Sequence, residues 1–185
     1  MSEEKEKILV NYLTTKEDYI DFRMAASKAV TNRKEILTLH ILGYVMILLG
    51  LVGEVVVSKA LYTDIIYGLL VLFGLFISFY LTTIQPYFLR ARSENYFESH
   101  RERMIAQTIT FDSEKIKIHT DRYQTELPYP MLYQCYEDEK VFLLFTGIGE
   151  IRFVPKRAVS EEDCRRIHEI LSEQLKEKYK QEGAR

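Results

Sequence analysis

The residues best suited to chemistry sit in one short stretch, "RFVPKRAVSEEDCRR", which gathers Arg152, Lys156, Arg157 and Arg166. Guanidinium and ammonium groups clustered near a helix start can hold phosphate or carboxylate. Glu161, Glu162 and Asp163 occupy the same helix start. Their charges suit the positive end of a helix dipole and partly cancel an anion-attracting field. Two readings follow: the four cations bind an anion or a partner, or Lys156 and Arg157 pair with nearby acids or with the rim of a sheet. A second group, Tyr87, Phe88, Arg90 and Arg92, has the composition of a membrane-interface anchor, with aromatic rings at headgroup depth and arginines reaching phosphate.

Other reactive types are dispersed. His40, His100, His119 and His168 are scattered, and His168 lies beside an apolar helix stripe. Cys135 and Cys164 have no metal-ligand spacing. Gly147-Ile148-Gly149 joins two strands and lacks the helix and the lysine of a phosphate loop. No nucleophile, Walker or zinc motif is present. The expectation is therefore no catalytic residue, no metal and no cofactor. The net charge of -2 excludes electrostatic attraction to a nucleic acid.

The elements around the basic stretch are legible. "EIRFVP" alternates as a strand, and Pro155 suits its end because it donates no ladder bond. Ser160 and Asp163 have capping-box spacing, and Cys164, Ile167, Ile170, Leu171 and Leu175 form the apolar stripe of a final helix. Upstream, "QTITF", "KIKIH" and "RYQTEL" alternate, while "MLYQCYEDE" reads as either strand or short helix. "KVFLLF" is continuously apolar, as a strand covered on both faces would be.

Two stretches, residues 36–57 and 65–84, are apolar all round, and each has about the 20 residues a helix needs to cross a bilayer. The short link permits only an antiparallel hairpin. Arg23, Lys28, Arg33 and Lys34 precede it, Arg90, Arg92, Arg101 and Arg103 follow it, and the link offers only Lys59, which places both termini in the cytoplasm. "MSEEKEK" is not the basic start of a signal peptide. His40, Glu54 and Asp64 fall near the span ends and fit interfaces or caps better than a proton relay. Gly43, Gly50, Gly74 and Ser78 permit close helix approach, within the hairpin or between two copies.

The N-terminus reads strand, then helix. "KILVNYLT" puts Ile8, Val10 and Tyr12 on one face and Leu9 and Leu13 on the other. Thr15 and Asp18 have capping-box spacing, and Tyr19, Phe22, Ala26, Ala29 and Val30 follow at helical spacing. A lone strand cannot satisfy its backbone, so it must pair with strands beyond the hairpin. The fold class is an α+β membrane protein. Its parts are a cytoplasmic strand and juxtamembrane helix (1–35), a hairpin (36–84), an interfacial connector (85–104) and a cytoplasmic domain (105–185).

Together "VNYLTTKEDYIDF", the hairpin, the β run and "RFVPKRAVSEEDCRRIHEIL" resemble the YcxB-like membrane proteins. The most specific element stands here as Phe153, Pro155, Lys156, Arg157, Ser160 and Glu162. The resemblance implies a bacterial pleckstrin-homology-like domain, a bent antiparallel sheet closed by one helix, in a multi-pass protein of the bacterial cytoplasmic membrane. It supplies no activity. The expected role is a membrane-anchored, non-catalytic binding or scaffolding module whose partners are the bilayer and a protein or a second copy. Self-immunity against a bacteriocin-type peptide, by analogy with relatives of this design, and lipid headgroup sensing are the alternatives.

Overall fold

The computed structural model describes residues 7–31, 33–56, 60–147 and 149–183. Met1–Glu6, the link residues Ser58 and Lys59, and Ile148, all used in the sequence reading, lie outside these. The chain forms two compact units: Met1–Ala26 with Ser93–Arg185, and Ser27–Arg92.

In the first unit, β1 (Ile8–Leu13) pairs antiparallel with β2 (Ala106–Phe111), so that Ile8 faces Phe111 and Leu13 faces Ala106. The strand thus finds its partner beyond the hairpin, as its unsatisfied backbone required. β3 (Lys115–Thr120) and β4 (Gln124–Pro128) complete a meander in the order β1-β2-β3-β4. Strand alternation buries Ile8, Val10 and Tyr12 and leaves Leu9 and Leu13 exposed.

A second sheet has the order β7-β6-β5-β8, from β5 (Gln134–Glu137), β6 (Val141–Gly147), β7 (Glu150–Pro155) and β8 (Tyr179–Gln181). The first three are antiparallel neighbours, and β8 joins β5 in parallel. Val141–Phe145 is buried throughout, as its unbroken apolar run predicts. The ambiguous "MLYQCYEDE" resolves into a 3-10 turn, Tyr129–Met131, followed by strand β5. The buried Tyr129 hydroxyl donates to the Asp112 carbonyl (2.8 Å) and pins that turn to the β2–β3 corner. From the first sheet, Tyr12 donates its hydroxyl to the Phe153 carbonyl of the second.

Helix α1 (Lys16–Val30) buries Ile20 and Ala25. The predicted stripe is not the buried face: Tyr19, Phe22, Ala26 and Ala29 are half-buried and Val30 is exposed. Tyr19 and Phe22 instead serve two neighbours. Tyr19 stacks on Tyr96 (centroids 5.5 Å apart), and Phe22 stacks on Phe153 (4.7 Å). The C-terminal helix, Glu161–Leu175, buries Ile167, Leu171 and Leu175 against the sheets. Its N-cap Ser160 accepts from the Asp163 N–H (3.1 Å), as the capping spacing predicts.

In the second unit, α2 (Arg33–Val56) and α3 (Leu61–Phe79) are antiparallel neighbours. A π-helical turn, Tyr80–Ile84, leads straight from α3 into α4 (Gln85–Ser99). The segment after Pro86 therefore continues the second helix. Proline fits because its ring falls in the first turn after the π bulge. The C-terminal helix, Glu161–Leu175, is α5. Lys34–Val56 and Leu61–Ser99 are long and apolar enough to cross a membrane.

Small residues set how closely α2 and α3 approach. A Cβ at Gly43 would lie 3.0 Å from the Gly74 carbonyl, and one at Gly74 would lie 2.6 Å from the Gly43 carbonyl. Gly50 is pressed in the same way against Val71 and the Tyr67 carbonyl. The sequence left these positions to either the hairpin or a second copy; the hairpin itself uses them.

Candidate functional site

The corner between β7 and α5 is a 3-10 turn, Lys156–Ala158. A rigid proline opens it, the Lys156 N–H donates to the Lys140 carbonyl (2.8 Å), and Ser160 closes it as a helix cap. This fixes the directions of the two basic side chains, and each ends on a buried carboxylate remote in sequence.

Arg157 reaches Asp18. Its Nε donates to Asp18 Oδ1, a terminal nitrogen donates to Asp18 Oδ2, and the same nitrogen donates to the Leu13 carbonyl (3.1 Å). Asp18 is only 4% exposed, and it also closes the capping box at the start of α1. The Thr15 N–H donates to Asp18 Oδ2 (2.7 Å), and the Asp18 N–H donates to the Thr15 hydroxyl (3.2 Å). Burial alone would push this carboxyl up. The Arg157 guanidinium and the Thr15 donors outweigh burial and hold it below its ordinary value.

Lys156 reaches Glu137. Its Nζ donates to Oε1 (2.6 Å) and lies 4.7 Å from the centre of the Phe142 ring. The other oxygen of Glu137 accepts from the Tyr179 hydroxyl of β8 and, with the proton on Nδ1, from His168 of α5 (2.7 Å). His168 Nδ1 is also 2.7 Å from the Tyr179 hydroxyl. Lysine, histidine and tyrosine around one buried carboxylate is an acid–base set by type. Here every partner is drawn onto Glu137, and the set ties β5, the corner, α5 and β8 together.

The remaining cations lie apart from this pair. Arg152 donates to the Tyr123 hydroxyl (2.9 Å), with its guanidinium 5.5 Å from the Tyr123 ring centre. Arg166 donates to Asp163 (3.3 Å) within α5. The four candidate anion-binding residues thus point to four different partners. Of the expected partners, nearby acids or the rim of a sheet, Lys156 and Arg157 leave the acids at the start of α5 unused: Lys156 takes Glu137 at the end of β5, and Arg157 takes Asp18 of α1. These lie on other elements of the fold, which local sequence could not reveal. Among the thiols, burial pushes both Cys135 and Cys164 up, Cys135 the further.

Sequence reasoning recognised Asp18 only as a cap and His168 only as a packed residue, and it missed Glu137 and Tyr179. No spacing signal links residues 137, 156, 168 and 179. The one cue was the position of His168 beside the buried stripe.

In the second unit, Tyr87 and Phe88 are 70% and 64% exposed, and Arg90 and Arg92 are exposed one turn further on. His40 is bonded locally, its Nδ1 2.8 Å from the Ile36 carbonyl. The Thr63 hydroxyl accepts from the Ala60 N–H (3.3 Å) at the start of α3, as a cap.

Comparison with curated proteins and with solved structures gives no match. The family model described as YcxB-like protein matches residues 111–170. That stretch runs from the end of β2 into α5 and takes in Phe153, Pro155, Lys156, Arg157, Ser160 and Glu162, so this part of the chain is similar to that family.

Proposed function

We propose that this chain is a membrane-anchored, non-catalytic binding or scaffolding module of the bacterial cytoplasmic membrane, with both termini and the folded unit in the cytoplasm. The observation that carries the reading is the division of the chain. One folded unit is built from both ends of the sequence, and the interrupting segment is a hairpin of two long apolar helices. A hairpin that spends its small residues on its own packing is suited to anchoring. Cations flank its base, which favours a cytoplasmic folded unit. A meander of four strands, a meander of three and a closing helix suit a pleckstrin-homology-like barrel, with the hairpin inserted after the first strand. Glu137, the buried carboxylate at the centre of the acid–base set, has its oxygens engaged by Lys156, His168 and Tyr179, which favours a structural role for it. Leu9 on the outer strand β1 is 59% exposed and offers an apolar contact beside a sheet edge.

The test is photocrosslinking in cells from Leu9, Tyr123 and Glu169, followed by mass spectrometry. One discrete protein captured from at least one position is the expected result. Recovery of lipid and the chain itself alone, from all three, would reject the binding-module reading.

A further inference from the structure

We propose that Arg90 and Arg92, with Tyr87 and Phe88, form a recognition site for anionic phospholipid headgroups. The proposal rests on the reading of the hairpin as a membrane anchor and names the lipid that this anchor selects.

The order of side chains along the second helix is that of a bilayer boundary. Leu61 to Thr82 spans about 32 Å at the helical rise, close to the hydrocarbon thickness. Phe76, Phe79 and Tyr80 project outward before that point. Tyr87 and Phe88 then occupy the depth favoured by amphipathic rings. Arg92 stands one turn beyond Phe88, about 6 Å further along the axis. The π-helical turn lies between the apolar and the aromatic layers and keeps the helix unbroken through the boundary.

Charge separates the two ends of the hairpin. Among the described residues, the side chains of Arg90 and Arg92 have no hydrogen-bond or ion-pair partner. Lys156 and Arg157, by contrast, are bound to buried carboxylates. The antiparallel register that sets Gly43 against Gly74 and Gly53 against Tyr67 brings the backbone of Lys34 level with the first turn of α4. In sequence, the opposite end carries the carboxylates of Glu54 and Asp64 against one cation, Lys59. The excess of cations, and with it the attraction for anionic headgroups, is at the end that carries Arg90 and Arg92. An exposed guanidinium offers phosphate a bidentate fork that a zwitterionic headgroup, with its own ammonium, competes for. A basic residue near an anionic surface gives about a fivefold gain in local lipid occupancy.

The chain has no tryptophan, so Phe88→Trp supplies a single fluorescent reporter at this depth. The full-length F88W protein is reconstituted in vesicles of phosphatidylcholine and phosphatidylglycerol, with one lipid or the other brominated. The expected result is stronger quenching by brominated phosphatidylglycerol at equal mole fraction. That preference should shrink as salt rises, vanish in R90Q/R92Q and survive in R90K/R92K. Equal quenching by the two lipids would overturn the proposal while leaving the anchor reading intact. A preference that persists in R90Q/R92Q would overturn the assignment to these arginines. No quenching by either lipid would reject the anchor reading and the proposal with it. The salt titration needs no second variant and decides the matter even if R90Q/R92Q does not insert.

Discussion

Arg157 and Asp18 are unequal partners. Asp18 is 4% exposed, whereas the Arg157 side chain is 51% exposed. Arg157→Ala leaves a buried carboxylate without its cation. Asp18→Ala frees a guanidinium that can turn to water and loses a cap worth about 1 kcal/mol. The expected loss for Arg157→Ala is about 2 kcal/mol, below that of a fully buried pair because half of the bridge is already solvated. Denaturant unfolding of the two variants checks the order, and a larger loss for Asp18→Ala would contradict it. The same pair predicts an acid limb. The Asp18 carboxyl is held below its ordinary value, so its contribution is present above the unfolded value of 3.8 and is lost as pH falls through the lower folded value. Unfolding followed below about pH 4 should show this loss in the parent and a weaker one in Arg157→Asn. The corner itself was legible from Pro155 and Ser160, because caps and proline act locally. Its partners were not, because Asp18 and Glu137 are brought to it only by the closed fold.

At the scale of elements, the hairpin owes its close approach to particular glycines. Gly74→Ala places a methyl group against the backbone carbonyl of Gly43, which has little room to move, and should cost about 1–3 kcal/mol of hairpin stability. Gly68 has open space where its Cβ would be, so Gly68→Ala should be neutral or slightly stabilising through helix propensity. Thermal unfolding in detergent distinguishes them, and equal behaviour of the two would refute the packing argument. The short strand β8 makes the complementary case. Three residues are too few to show a period, and α5 ends at Lys176 with φ of +49°, a conformation lysine seldom adopts. The sequence therefore carries no sign of a strand after the final helix. The strand is held by the Tyr179 hydroxyl on Glu137, so Tyr179→Phe should fray Tyr179–Gln181 at a cost of about 1 kcal/mol while α5 remains. Hydrogen exchange faster at β8 but unchanged in α5 is the expected pattern, and exchange quickening equally in both would show that the two melt as one.

For the whole molecule, the strand before the hairpin is part of the core after it. Ile8, Val10 and Tyr12 pack with Ile109 and Phe111 of β2, and Tyr12 crosses to β7 through the Phe153 carbonyl. The segment that matches the family model, residues 111–170, is thus completed by residues more than one hairpin away in sequence. Contacts of such separation form late, because the loop must close before they reward it. A charge at Val10, which is 1% exposed, should therefore open the meander in a region the substitution does not touch. Val10→Asp is expected to abolish amide protection in β2 and β3. Leu9→Asp, one residue away on the exposed face, should leave that protection unchanged. Both variants keep the hairpin, so membrane insertion supplies the internal control. If β2 and β3 stayed protected in Val10→Asp, the later strands would be a self-sufficient domain and β1 an accessory to it. If protection were lost in both variants, the outward face of β1 would have to be covered in the working protein.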